Sequence, residues 1–246
     1  MHSDFTVFVT SIAKVIGIKL KPNPLSAMAR FTTRYIAHAP KDQCISRCRA
    51  PEDKLMNKNS LRFEYRRIRH AQMPKLNASL VRSVLAHLNA QGPPHRQGAI
   101  GITWPLPGEP DLRLLSEMQT APLALPATAE DYSVTYHFWR DAPSPKELRG
   151  DAFSIPAPLT SPALRPTELA LLLLPALAVD RNGMRLGYGG GCYDRLLNQR
   201  GWSTLPTFAV LPEACVHPTL LPAEPWDQPL DGWITEQGCS LRRASQ

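Results

Sequence analysis

Ten consecutive residues, Arg185 to Asp194 (RLGYGGGCYD), combine the groups needed to hold a phosphate. Gly187, Gly189, Gly190 and Gly191 leave the backbone free to adopt positive φ and to approach a ligand closely. Successive N–H groups in such a run form an anion-binding nest, and a helix start just behind adds partial positive charge. Arg185 supplies a cation at one edge and Asp194 a carboxylate at the other. A cation, a glycine cradle and a hard oxygen donor together point to phosphate with a magnesium ion. A plain glycine-rich turn between strand and helix is the alternative that glycines alone allow. No Gly-Lys-Ser/Thr follows, so this is not a Walker motif, and the glycines are too tightly spaced for a dinucleotide fingerprint.

The elements that position this loop can be read on either side of it. Leu169 to Leu174 is almost entirely Leu and Ala and is closed by Pro175, which predicts a strand buried on both faces. Asp180-Arg181-Asn182-Gly183 is a turn, and after the loop a helix is expected over Tyr193–Gln199, then strands at Thr207–Leu211 and Trp233–Thr235. Upstream, Lys58 to Ala71 reads as a basic helix with Lys58, Arg62, Arg66 and Arg69 near one face, either solvated or bound to an anion. Pro74 is expected to end it, with Asn77 capping a second helix whose Leu80, Val84 and Leu88 face the core. Ala99–Trp104 reads as a strand, followed by a helix presenting Leu112, Leu115 and Met118. Leu123–Leu125 is a short strand. In the next, Val134, Tyr136 and Phe138 alternate with polar residues, which places His137 on a surface. Strands alternating with helices predict an α/β fold: a three-layer αβα sandwich with a mainly parallel central sheet, Rossmann-like, with ligands at the carboxyl ends of its strands.

The 246 residues carry a net charge of +7, but residues 1–55 hold nine Lys and Arg against four Asp and Glu. The remainder is close to neutral, which argues against nucleic-acid binding by the main domain. No uncharged apolar run approaches the roughly 18–20 residues that span a bilayer. Five scattered cysteines, an odd number without metal-type pairing, read as reduced thiols and a cytoplasmic protein. Residues 1–55 are basic, rich in hydroxyls and poor in acids. They read as a targeting peptide, as sequence upstream of a true initiator at Met56, or as a flexible extension. Residues 56–240 then form a single domain, with 241–246 as a tail.

Four segments in order resemble the signature of the 5-formyltetrahydrofolate cyclo-ligase (methenyltetrahydrofolate synthetase) family. Lys58-Asn59-Ser60-Leu61-Arg62 is similar to its N-terminal Lys-x-x-Leu-Arg, and Gly108-Glu109-Pro110-Asp111 to its Gly-Glu-x-Asp turn. Leu174 to Asp180 followed by Arg185–Asp194 is similar to its Pro-Gly-x-x-Phe-Asp strand and Arg-Leu-Gly-x-Gly-x-Gly-Tyr-Tyr-Asp loop. Trp226-Asp227 to Asp231 is similar to its His-Asp-x-x-x-Asp close. The resemblance covers residues 57 to about 238 and departs at Cys192 (family Tyr), Ala176 (Gly), Val179 (Phe) and Trp226 (His).

The resemblance implies a NagB/RpiA/CoA-transferase-like fold and a ligase of folate and one-carbon metabolism. Such an enzyme converts 5-formyltetrahydrofolate into 5,10-methenyltetrahydrofolate with ATP and Mg2+, through phosphorylation of the formyl oxygen. It implies ATP contacts from Lys58, Asn59, Ser60, Leu61 and Arg62 and from Arg185, Leu186, Gly187, Tyr188, Gly189, Gly190, Gly191, Cys192 and Tyr193, with Arg185 and Lys58 catalytic. Trp104, Glu109, Phe153 and residues 188–192 would meet the folate, Glu109 through the pterin N–H groups. Asp194 and Asp227 would hold the metal, Asp231 being the alternative to Asp227. The expected partner is a formylated folate, with or without a polyglutamate tail, and the protein a monomer. A non-catalytic or repurposed folate- or RNA-binding relative is the competing reading, as is an isomerase or transferase on a similar sheet.

Overall fold

In the computed structural model, which describes residues 57–90, 98–118, 121–139 and 148–243, one 33-residue helix stands where the sequence suggests two. This helix, α1 (Lys58–Ala90), carries Pro74 within it. Proline inside a helix costs about 3 kcal/mol through a lost hydrogen bond and a clash with the preceding turn. Packing outweighs that cost, because Leu61, Tyr65, Arg69 and Met73 before the proline and Leu80, Val81, Val84 and His87 after it are all buried. Each Leu or Val so buried contributes about 1.5–3 kcal/mol. Pro74 itself faces solvent. Asn77 caps no helix; its side-chain oxygen instead accepts from the Asp111 N–H at 2.7 Å. The true cap is Asn57, whose Oδ1 accepts from Ser60 N at 2.9 Å.

After α1 come β1 (Ala99–Gly101), a 3-10 turn (Leu112–Leu114), α2 (Leu115–Met118), β2 (Leu123–Thr128) and β3 (Val134–Trp139). The chain continues through β4 (Arg149–Gly150), β5 (Pro156–Ala157), β6 (Leu169–Pro175), β7 (Ala178–Val179), β8 (Arg185–Leu186) and α3 (Cys192–Leu197). It closes with β9 (Thr207–Val210), β10 (Gly232–Thr235) and β11 (Gly238–Leu241). Seven of these strands form one sheet in the order β11-β10-β9-β6-β1-β2-β3. The five inner strands are parallel, and β3 and β11 pair antiparallel at the two edges. The expected mainly parallel α/β sheet is what the chain forms.

The middle strand, β6, is buried on both faces. Leu172 and Leu174 join one apolar cluster with Tyr136, Leu196, Leu197 and Trp202, while Leu171 and Leu173 join another with Leu80, Val84, Leu112 and Leu115. Strand order reverses between β1 and β6, since β1 leads outward to β2 and β6 leads the other way to β9 and β10. The loop after β1 and the ribbon β7–β8 after β6 therefore stand on either side of this switch point at the carboxyl end of the sheet. Ligands gather at such switch points in open α/β sheets.

Several local expectations change. Strand β1 stops at Gly101 rather than Trp104, and the helix after it is a 3-10 turn plus four residues, with Leu112 and Leu115 buried and Met118 exposed. His137 is buried, because the 158–164 segment lies over edge strand β3 and Ser161 O meets His137 Nδ1 at 2.7 Å. The hairpin β10–β11 went unread in the sequence, since Cys239 and Ser240 offer no apolar alternation. Cys192, Cys215 and Cys239 are free thiols. Among the described residues, no helix is long and apolar enough to cross a membrane. Residues 1–56, with the three readings of that segment and Met56 as initiator, lie outside the described residues, as do Cys44 and Cys48.

Candidate functional site

The glycine loop follows β8 and opens α3, so its backbone is held at both ends by paired structure. Gly189 (φ +110°) and Gly191 (φ +66°) take conformations that residues with a Cβ rarely adopt. The Arg62 guanidinium crosses Gly189, where a Cβ would meet Arg62 Cζ at 3.5 Å, an ordinary van der Waals contact, so the positive φ alone calls for glycine there. Arg62 donates from Nε to Gly187 O at 3.0 Å and from a terminal nitrogen to Asn59 Oδ1 at 2.8 Å. Burial lowers its pKa, Asp227 opposes that shift, and Arg66 adds to it.

Two ion pairs bracket the loop. Lys58 Nζ lies 2.6 Å from Asp227 Oδ2, with both side chains about one-fifth exposed. Arg185 meets Asp194 Oδ1 at 3.0 Å, its own side chain being only 5% exposed. Arg185 also lies over the Tyr193 ring at 5.3 Å, and its buried Nε has no hydrogen-bond partner. Arg62 thus meets the loop directly, Arg185 is fixed at its start, and Lys58 stands one turn before Arg62 on α1, paired with Asp227.

The two proposed metal ligands are each engaged by a cation, yet Oδ2 of Asp194 and Oδ1 of Asp227 have no protein partner among the described residues. Two part-exposed carboxylates, each with one free oxygen, suit magnesium, which keeps several waters and takes further oxygens from phosphates. No group of three or more His, Cys, Asp or Glu side chains converges as an all-protein metal cage among the described residues. Asp231 is committed elsewhere: its Oδ2 accepts from Thr207 N and Oγ1, tying β9 to the segment before β10.

Several of the other expected contact residues are engaged within the protein. Leu61 and Leu186 are core residues, because both point at the sheet from α1 and β8. Their share of a nucleotide site is limited to backbone. Ser60 and Asn59 serve the helix cap and Arg62. Trp104 packs with the Leu112 cluster and carries the Arg113 guanidinium 4.3 Å from its ring centroid.

Glu109 was expected to face a pterin. Its side chain is 2% exposed, and both oxygens are occupied, Oε1 by the Tyr188 hydroxyl at 2.8 Å and Oε2 by Leu106 N at 2.9 Å. Arg69, 1% exposed, lies 3.7 Å from Glu109 Oε1, donates to the Tyr188 hydroxyl, and donates to Ala176 O at 2.7 Å. Burial pushes the Glu109 carboxyl above its usual range, with Arg69, Leu106 N and the Tyr188 hydroxyl pulling the other way. Nor is Glu109 the dipole partner of the following turn, a role filled by Asp111, which accepts from Arg113 N.

The sequence reading missed this buried triad. In the basic run Arg69 reads as one more cation, solvated or bound to an anion, and the signal available was its place four residues after Tyr65 and before Met73, on the buried stripe. Also missed was Tyr132 in the β2–β3 loop, whose ring packs against Gly190 and against Phe153, centroids 5.3 Å apart. Cys192, where the loop departs from the family pattern, is half-buried, and burial raises its thiol above the ordinary value.

The chain is similar to several proteins of known name. A Haemophilus influenzae protein named 5-formyltetrahydrofolate cyclo-ligase is 45% identical over 64 residues, 26% of this chain and 33% of its own length. An Escherichia coli protein of the same name is 40% identical over 70 residues, 28% of this chain and 37% of its own length. The aligned stretch thus spans about a third of each of these curated relatives. The NMR structure of Aquifex aeolicus 5,10-methenyltetrahydrofolate synthetase superposes with a TM-score of 0.61 at 25% identity, covering 78% of this chain and 95% of that one. A Mycoplasma pneumoniae synthetase of that name shares the fold, with a TM-score of 0.56 at 19% identity over 74% of this chain and 99% of its own. The 5-formyltetrahydrofolate cyclo-ligase family model matches residues 55–236, most of the sequence, and the chain belongs to that family.

Proposed function

We propose that the protein is an ATP-dependent ligase that closes 5-formyltetrahydrofolate to 5,10-methenyltetrahydrofolate, releasing ADP and phosphate. The observation that carries this reading is the bracketed loop, with Arg185–Asp194 on one side, Lys58–Asp227 on the other and Arg62 laid across Gly189. Family membership and the synthetase name of the similar Aquifex structure support the same substrate.

In this reading the phosphoryl group passes from ATP to the formyl oxygen, the neighbouring folate nitrogen attacks the activated carbon, and phosphate leaves with that oxygen. Protein catalysis of such a transfer is mostly positioning and charge stabilisation. Lys58 and Arg62 bind the phosphates beside the first turn of α1. Arg185, fixed by Asp194 and already desolvated, faces the transferring group together with the loop N–H groups. Asp194 and Asp227 would hold Mg2+, which when bound neutralises phosphate charge. Glu109 holds Tyr188 and so orients the loop; pairing with pterin N–H groups requires it to exchange the Tyr188 hydroxyl.

The family match begins at residue 55, which supports reading residues 1–55 as an extension to the catalytic unit. A monomeric, cytoplasmic protein with reduced thiols completes the proposal. The decisive experiment incubates the full chain with 5-formyltetrahydrofolate and MgATP and follows absorbance of the methenyl product with ADP release. Stoichiometric appearance of both is expected, and no product with either nucleotide or metal varied refutes the reading.

A further inference from the structure

Every residue other than glycine with positive φ among the described residues lies at one place beside the glycine loop. Tyr132 (φ +66°) closes the three-residue turn between β2 and β3, and Ser154 (φ +61°) follows Phe153. The turn is built by Tyr132 N donating to Ala129 O at 2.9 Å and Ala129 N donating to Ser133 O at 2.9 Å. The last residue of such a turn sits in the left-handed region and is ordinarily Gly or Asn. A bulky aromatic residue there is an outlier, and strain of this kind persists where the surroundings hold it and collects at functional sites.

The surroundings do hold it. Asp151 Oδ1 accepts from Phe153 N at 2.8 Å and Ile155 N at 3.0 Å, while Oδ2 accepts from Thr128 N at 3.0 Å at the end of β2. One carboxylate therefore joins the turn carrying Phe153 to the strand that presents Tyr132. The two rings meet at 5.3 Å with planes tilted by 33°. Tyr132 also abuts the phosphate loop, since a Cβ on Gly190 would lie 3.3 Å from the Tyr132 ring and 3.3 Å from Cys192 Sγ. Arg195 completes the edge, donating to Gly190 O at 2.6 Å with its guanidinium 5.5 Å from the Tyr132 centroid.

We propose that Tyr132 is a substrate-contacting specificity residue, and that with Phe153 it forms an aromatic face beside Gly190 on which a flat nitrogen heterocycle stacks. Cys192 is small where the family motif carries tyrosine, so the aromatic surface at this flank of the loop comes from Tyr132 instead. The heterocycle is the pterin of the folate or the adenine of ATP. This rests on the proposed cyclo-ligase reading for the identity of those two ligands. An electron-rich phenol ring against a flat, electron-poor heterocycle favours offset stacking, and loss of such a partner weakens binding by about tenfold, or 1.4 kcal/mol.

The test measures equilibrium binding of 5-formyltetrahydrofolate and, separately, of a non-hydrolysable MgATP analogue to full-length wild type, Tyr132→Asn and Tyr132→Phe, with Tm recorded for each. Binding constants read this inference, whereas turnover by the wild type reads the cyclo-ligase assignment, so the two fail separately. Tyr132→Asn is expected to keep Tm within about 2 °C, because Asn accepts the left-handed turn. It is expected to raise Kd about tenfold for one ligand only, and that ligand identifies the ring. Tyr132→Phe, which keeps the aromatic face, stays within about twofold of wild type. Unchanged Kd for both ligands in Tyr132→Asn, with Tm lowered by several degrees, assigns Tyr132 a purely structural role and overturns the proposal. A Tyr132→Phe protein as weak as Tyr132→Asn overturns stacking.

Discussion

Replacing Arg69 by Met removes the cation from the buried triad and leaves the Glu109 carboxylate facing the Tyr188 hydroxyl and Leu106 N. Both charged side chains are almost wholly sequestered, so loss of one partner is expected to cost about 3–5 kcal/mol at pH 8. That is a Tm lowered by roughly 10 °C for a domain of this size, within the reserve of a typical native protein. The groups facing Glu109 are Arg69 from α1, Tyr188 from the glycine loop and, more distantly, Tyr193 of α3. The folded pKa of Glu109 is raised above its ordinary value, by burial. Its contribution to stability is therefore full below the ordinary carboxylate range and is lost as pH rises through the folded value. Without Arg69 that folded value moves higher still, so protonation of Glu109 as pH falls relieves the buried charge. Urea unfolding followed by circular dichroism at pH 5 and pH 8 measures this. The cost of Arg69→Met is expected to shrink by at least half at pH 5, and Arg69→Met/Glu109→Gln to be less unstable than the sum of the single changes. An equal cost at both pH values, or strict additivity, refutes the reasoning.

Three further outcomes test the site. Arg185→Ala and Asp194→Asn are expected to lower turnover by about a hundredfold or more while far-UV circular dichroism is retained; near-normal rates remove the ion pair from the mechanism. Gly191→Ala forces a Cβ into left-handed backbone 3.2 Å from the Arg195 guanidinium and should cost about 1–2 kcal/mol in urea unfolding, with no cost arguing against the loop geometry. A chain beginning at Met56 should turn over within about twofold of the full protein, and a larger loss assigns residues 1–55 a part in catalysis.

The chain order alone settled much of this protein. Four glycines between Arg185 and Asp194 can serve few purposes, and the all-aliphatic Leu169–Leu174 run can be stable only inside a sheet, so loop, middle strand and α/β class were legible. Such signals are local: they depend on backbone freedom and burial within a dozen residues. What Pro74 does was not local. A proline normally ends a helix, and only the mainly apolar face from Leu61 to His87, buried on both sides of Pro74, carries α1 through it. The fate of the cations was likewise decided by tertiary structure. Lys58, Arg62, Arg66 and Arg69 are equivalent in a helical repeat, yet Arg69 alone is fully buried, because the Glu109 loop and Tyr188 close over it from 40 and 119 positions away in sequence. Tyr132 gave no signal at all in the sequence. Its meaning arises from a left-handed turn that β2 and β3 impose, beside a glycine loop that reaches it through the fold.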